Sequence, residues 1–150
     1  MKGNELDHVD RKILNILMKE GRKPIREIAA DVFLSSPAVS ARISALEKSG
    51  YITGYCAKID PAALGYHIKS FIGLEVKPAE KQEFYSYIAS VPNVVECNCV
   101  TGEYSMLLEV FFPTTAELDR FIGELQTYGR SKTMIVFNTS VEHRGIHLSE

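Results

Sequence analysis

Within the first fifty residues, apolar positions recur at helical spacing three times. Val9, Ile13, Ile16 and Leu17 share one face of a helix over residues 6–20, with Asp7 able to cap its start, Asp10 in its first turn and Gly21 stopping it. Ile25, Ile28, Ala29 and Val32 line a second, shorter helix opened by Pro24. After Phe33 and Leu34, either Ser35 or Ser36 can cap a third helix with Pro37 in its first turn. Val39, Ile43 and Leu46 form its buried stripe, and Gly50 ends it.

From Tyr51 the pattern changes. Tyr51 to Asp60 is β-prone and Pro61 to Gly65 reads as a connection, which predicts a helical domain over 1–54, a strand-bearing linker over 55–66 and a second domain over 67–150. In that second domain, strand-like runs at Phe71 to Val76, Val94 to Thr101, Tyr104 to Phe112 and Met134 to Val141 are separated by two helices. Phe84, Ile88 and Val91 mark the first helix, which Pro92 and Asn93 end. Thr114 with Glu117 is a capping-box signature for the second, whose apolar face is Leu118, Phe121, Ile122 and Leu125. The order β-α-β-β-α-β is ferredoxin-like, one antiparallel sheet with both helices on one side, so the fold class is α+β. Along Tyr104 to Phe112 both alternating sets are apolar, which implies that a second subunit covers the other sheet face.

Three helices with a short second member and a four-residue connection to the third have the layout of a helix-turn-helix, whose third helix enters the DNA major groove. Ala29 supplies the small side chain that a close helix crossing needs. The outward face of the third helix offers Ser35, Ser36, Pro37, Ala38, Ser40, Ala41, Arg42 and Ser44. Small side chains let the backbone approach the groove, hydroxyls reach phosphates or base edges, and Arg42 is expected to project away from the core toward phosphate or guanine. Lys23, Arg26 and Lys48 flank this face as phosphate partners. The competing reading is a plain three-helix bundle for protein contacts.

Charge shifts the balance slightly. The net charge is −2, yet residues 1–50 hold nine Lys/Arg against seven Asp/Glu, and residues 51–150 hold eight against twelve. No run of about 18 apolar residues suggests a membrane span, and the first residues lack the apolar stretch of a secretory signal, so a cytoplasmic protein is expected. Three cysteines are too few for a disulfide framework. Cys97 and Cys99 share a strand face and His143 and His147 stand four apart, but neither pair completes a metal site, and Gly145 marks a tail. Tyr85, Tyr87 and Tyr128 read as helix-surface or interface residues. No catalytic set or phosphate-binding glycine motif is recognisable, and no cofactor is implied.

Leu6-Asp7, Asp10 to Leu14, Arg26 to Ala29, Leu34-Ser35, Arg42-Ile43, Leu46-Glu47, Gly50 to Tyr55 and Val100 to Tyr104 together resemble the Lrp/AsnC family of feast/famine transcriptional regulators. The resemblance spans the chain. It implies a winged helix-turn-helix, a strand-bearing linker, a ferredoxin-like amino-acid-sensing domain, double-stranded DNA as partner, and homodimers that often form octameric discs. It also implies an effector loop at Thr101, Gly102, Glu103, Tyr104 and Ser105. There Gly102 would let a ligand approach the backbone, free amides would receive a carboxylate, and Glu103 or Ser105 would accept from an ammonium. An ordinary β-turn is the bland alternative. Two positions depart from the family pattern: Phe33 stands where many members have Gly, and Ser105 where many have Asp. An alternative of the same architecture is a metabolite-binding or tetrapyrrole-modifying protein that does not bind DNA.

Overall fold

The computed structural model describes residues 6–149, which divide into two units: residues 6–58 together with 141–149, and residues 59–140.

In the first unit, α1 (His8–Lys19) begins with the expected cap. The Asp7 carboxylate accepts from the Asp10 N–H at 2.8 Å, and the Asp10 carboxylate accepts from the Asp7 N–H at 3.3 Å. These bonds satisfy two of the amides that the first helical turn leaves orphaned. Next come α2 (Ile25–Asp31) and α3 (Ser36–Lys48), the latter capped by the Ser35 hydroxyl, which accepts from the Ala38 N–H at 3.4 Å. Ile13, Leu14, Ile28, Ala29, Val32, Val39 and Leu46 form one buried core, so the stripes expected on the three helices face one another except at Ile25, which opens α2 and is exposed. The α2–α3 turn passes through Phe33 at φ 56°, a left-handed conformation, with its ring 90% exposed.

Two expectations fail where the chain leaves and rejoins this unit. No ladder forms between residues 51 and 67, where a strand-bearing linker was expected; only a 3-10 turn, Ala62–Leu64, breaks the run. A strand needs a neighbour for its backbone groups, and this stretch has none within the single chain, leaving Tyr55, Ile59 and Leu64 exposed. The segment from Val141, placed by the sequence reading with the second domain, instead packs with the first.

The second unit is the βαββαβ sandwich layer. Its elements are β1 (Ile68–Val76), α4 (Lys81–Ser90), β2 (Val94–Cys99), β3 (Met106–Phe112), α5 (Thr115–Leu125) and β4 (Gly129–Ile135). The strands are all antiparallel, in the order β2-β3-β1-β4. Ile72, Leu74 and Val76 of β1 and Met106, Leu108, Val110 and Phe112 of β3 point to one side, where Phe84 and Ile88 of α4 and Leu118, Phe121 and Leu125 of α5 cover them. The last strand lies five residues earlier than its expected start at Met134. Gly129 explains the register: a Cβ there would stand 1.9 Å from the Glu75 carbonyl oxygen, so only glycine lets β4 close on the end of β1.

The opposite sheet face carries the alternate residues. Phe71, Leu107 and Phe111 are half-buried on it, and the ion pair Lys69–Glu109 (2.8 Å) crosses between β1 and β3. The Lys69 ammonium sits 5.5 Å from the Phe71 ring centre and 5.6 Å from that of Phe111. Among the described residues no helix is long and apolar enough to cross a membrane.

Candidate functional site

The third helix turns Pro37, Ser40, Ala41, Ser44 and Lys48 outward, all exposed and spaced to share one face, with Ser36 and Ala38 half-buried at its N-terminal end. Arg26 is exposed on α2. The Ser35 hydroxyl is used in the cap. Lys23 is engaged by Asp31 at 2.6 Å, which raises its pKa.

Arg42 is not where the sequence reading put it. Its guanidinium Nη1 donates to Asp7 and to Asp10, each at 2.7 Å, and only 34% of its side chain is exposed. The spacing accounts for this: Arg42 follows Val39 by three and precedes Leu46 by four, so it lies along the core-facing side and reaches the cap of α1. The carboxylates that cap α1 thus serve a second purpose, pinning α3 to α1. The Asp10 amide first, and then Arg42, hold the Asp7 carboxyl below its ordinary pKa of 3.8. Two carboxylates one helical turn apart at a helix start were the available signal for a cation partner elsewhere in the unit. The outward surface of α3 is therefore small, hydroxylic and methyl-bearing at its centre, with Arg26 and Lys48 at its margins.

In the second unit, Thr101, Gly102 and Glu103 are exposed in the turn between β2 and β3, and Tyr104 and Ser105 are half-buried. Gly102 has φ 120°, a left-handed value that L side chains rarely adopt, and a Cβ there would meet nothing within 4 Å. The loop is open. Ser105 is not: its hydroxyl accepts from the Val76 N–H at 3.0 Å and donates to the Leu74 carbonyl at 3.3 Å. The expected role of Ser105 as an acceptor for a ligand ammonium therefore gives way to stitching β3 to the end of β1.

Glu75 and Arg130 stand beside this loop, and no local sequence pattern marks them. Arg130 reaches the Glu75 carboxylate at 3.3 Å and that of Glu103 at 3.4 Å, and its guanidinium carbon lies 5.7 Å from the Tyr104 ring centre. The register between β1 and β4, which places Glu75 opposite Arg130, brings these charges together from positions 55 apart. Glu75, Val76, Lys77, Pro78, Gly129 and Arg130 line a depression of about 310 Å³. Among the described residues no cluster of three His, Cys, Asp or Glu could hold a metal.

Two family models match the chain: winged helix-turn-helix DNA-binding over residues 6–53, and the Lrp/AsnC ligand binding domain over residues 69–146. The chain belongs to the Lrp/AsnC family. It is 37% identical over 140 residues to the HTH-type transcriptional regulator FL11 of Pyrococcus horikoshii, an alignment covering 91% of this chain and 93% of FL11. The solved structure of Bacillus subtilis LrpC superposes with a TM-score of 0.88 at 28% identity, covering 93% of this chain and 100% of LrpC. A transcriptional regulator of Neisseria meningitidis solved as a complex with L-Met gives a TM-score of 0.88 at 26% identity, with 97% of each chain covered. The tri-helical unit is thus that of a DNA-binding transcriptional regulator of Lrp/AsnC type, joined to a ligand-binding domain of that family.

Proposed function

We propose that this Lrp/AsnC regulator responds to an amino acid or a closely related small metabolite taken up at the Thr101–Ser105 turn. The observation that carries the reading is the convergence of both charge signs there. Glu103, Glu75 and Arg130 meet beside an open Gly102 backbone and an aromatic ring, which suits a zwitterion: carboxylates for an ammonium, and a guanidinium for a carboxylate. The L-Met complex of the Neisseria relative supports the ligand class.

The protein acts, in this reading, as a cytoplasmic homodimer built on the outer sheet face, with dimers assembling further to an octamer. Phe71, Leu107 and Phe111 on that face stay half-exposed among the described residues, and the Lys69–Glu109 pair at its centre is already satisfied, so a partner can bury it without orphaning a charge. On DNA, Pro37, Ser40, Ala41 and Ser44 face base edges while Arg26 and Lys48 take phosphates. Lys23, held by Asp31, contributes less.

The test is selection of bound genomic fragments by the purified protein, followed by calorimetry with the twenty amino acids on wild type, Gly102→Val and Arg130→Ala. One or a few amino acids should bind wild type, bind both variants more weakly and shift the DNA affinity, because an effector that favours one state must be linked reciprocally to DNA. Binding by none, or equal binding to all three proteins, would sink the loop as an amino-acid site.

A further inference from the structure

The chain returns to its DNA-binding unit after the sensing unit is complete. Residues 141–147 are exposed throughout, and the segment is held at its far end. There the Asn15 amide of α1 does for Leu148 what a neighbouring strand would do: its Nδ2 donates to the Leu148 carbonyl at 2.8 Å and its Oδ1 accepts from the Leu148 N–H at 3.0 Å. Leu148 packs against the tri-helical core, and the Arg11 guanidinium donates to the Ser149 carbonyl at 3.2 Å. Gly145 lies against Met18, close enough that a Cβ would stand 3.0 Å from that of Met18.

We infer that residues 141–149 form a releasable strap, docked in cis on α1, whose release lowers DNA affinity. Both backbone groups of one residue matched by one amide, with an apolar side chain seated beside them, make a built recognition site for this segment. Besides that anchor, among the described residues only Gly145 against Met18 and the exposed Lys58–Glu142 ion pair (3.9 Å) touch the segment, so it opens without unfolding the unit. The strap also meets α1 beside the groups that hold α3. Arg11, which touches Ser149, is next to Asp10, and Asp10 and Asp7 hold Arg42. With the strap docked, Leu148 completes the tri-helical core and Arg11, next to Asp10, is held by Ser149. Released, the unit loses both, and a less restrained α1–α3 pair binds DNA more weakly because more freedom is lost on docking.

The first arm uses a chain with Met18→Cys and Gly145→Cys in which Cys56, Cys97 and Cys99 are replaced by Ser, Ala and Ser. Oxidation should give an intramolecular disulfide that keeps monomer mobility on a denaturing gel. A covalent dimer would assign the strap to a second copy, and no cross-link would remove the docking; either overturns the inference.

The second arm follows release. In Asn15→Ala and in Leu148→Ala, trypsin should cleave after Arg144 on the order of tenfold faster than in wild type, reflecting the lost anchor bonds. Each variant should bind the duplex recovered from the genomic selection at least several-fold more weakly, and the Met18–Gly145 cross-link introduced into Asn15→Ala should restore that affinity. A merely structural role for Asn15 would not be rescued by a tether. Unchanged cleavage after Arg144, unchanged DNA affinity once the strap is free, or failure of the cross-link to rescue would each overturn the inference.

Discussion

Tyr104 lies flat where Gly73 has no side chain: a Cβ on Gly73 would stand 2.7 Å from the Tyr104 Cδ2 and 2.8 Å from its Cγ. The glycine in the middle of β1 is therefore a seat for the aromatic ring of the β2–β3 turn. Gly73→Ala should push the ring out and cost about 1–3 kcal/mol, as over-packing does. Thermal unfolding would show a fall of several degrees, and amino-acid binding at the loop should weaken with it. A variant with wild-type stability and binding would show that Tyr104 has another seat.

Removing Arg42 should weaken the attachment of α3 to α1 and leave base preference intact. The pair is partly exposed, so screening limits its worth; with two carboxylates on one guanidinium, Arg42→Ala should cost about 1 kcal/mol. The pH dependence has a defined sign. Asp7 has a folded pKa below its ordinary 3.8, so its contribution is complete above the unfolded value and is lost as pH falls through the folded one. The stability gap between wild type and Arg42→Ala, followed by urea unfolding, should be constant near neutrality and shrink below pH 3.8. Repeating the DNA selection with the variant should return the same sequences; relaxation at one base position would restore Arg42 to base reading.

Phe33 carries a cost at φ 56° that a glycine would not. For a bulky residue the left-handed region costs roughly 1–2 kcal/mol, offset in part by the Lys12 ammonium 5.7 Å from its ring centre. Phe33→Gly should raise the urea midpoint by an amount worth up to about 1 kcal/mol, since glycine also frees the unfolded chain. Phe33→Val, branched at Cβ, should lower it. The reverse ranking would mean the turn is not strained.

Neighbouring residues of β3 should separate folding from assembly. Leu108 is fully buried under the helices, and Leu107 faces the other way. Leu108→Asp buries a charge without a partner and should unfold the sensing unit. Leu107→Asp should leave the circular dichroism spectrum intact and yield a monomer in size-exclusion chromatography. A folded, dimeric Leu107→Asp protein would exclude the outer face as the dimer interface.

How far the fold was legible follows from which forces are local. Caps at Asp7, Ser35 and Thr114 and the apolar stripes on the helices are encoded within a few residues, and they appear where the spacing puts them, Ile25 at the start of α2 excepted. Contacts set by distant partners were not legible. Arg42 looks free until Asp7, 35 residues earlier, is beside it, and the Ser105 hydroxyl looks available until the end of β1 claims it. Strand β4 was misplaced because its residues Gly129 to Thr133 are mostly polar edge residues, while the apolar run from Met134 was the louder pattern. The expected strand after Tyr51 has β-prone residues but no neighbour in its own chain, and propensity cannot supply one.

Leu148 reaching the core that starts at Leu6 has a consequence for synthesis. The sensing unit is, in order of chain, an insertion within the DNA-binding unit, since residues 59–140 are made before the last contributor to that unit's core leaves the ribosome. A nascent chain halted after α3 holds three helices with the seat for Leu148 empty. The regulator therefore gains its fully packed DNA-binding unit only after the ligand-binding unit has emerged.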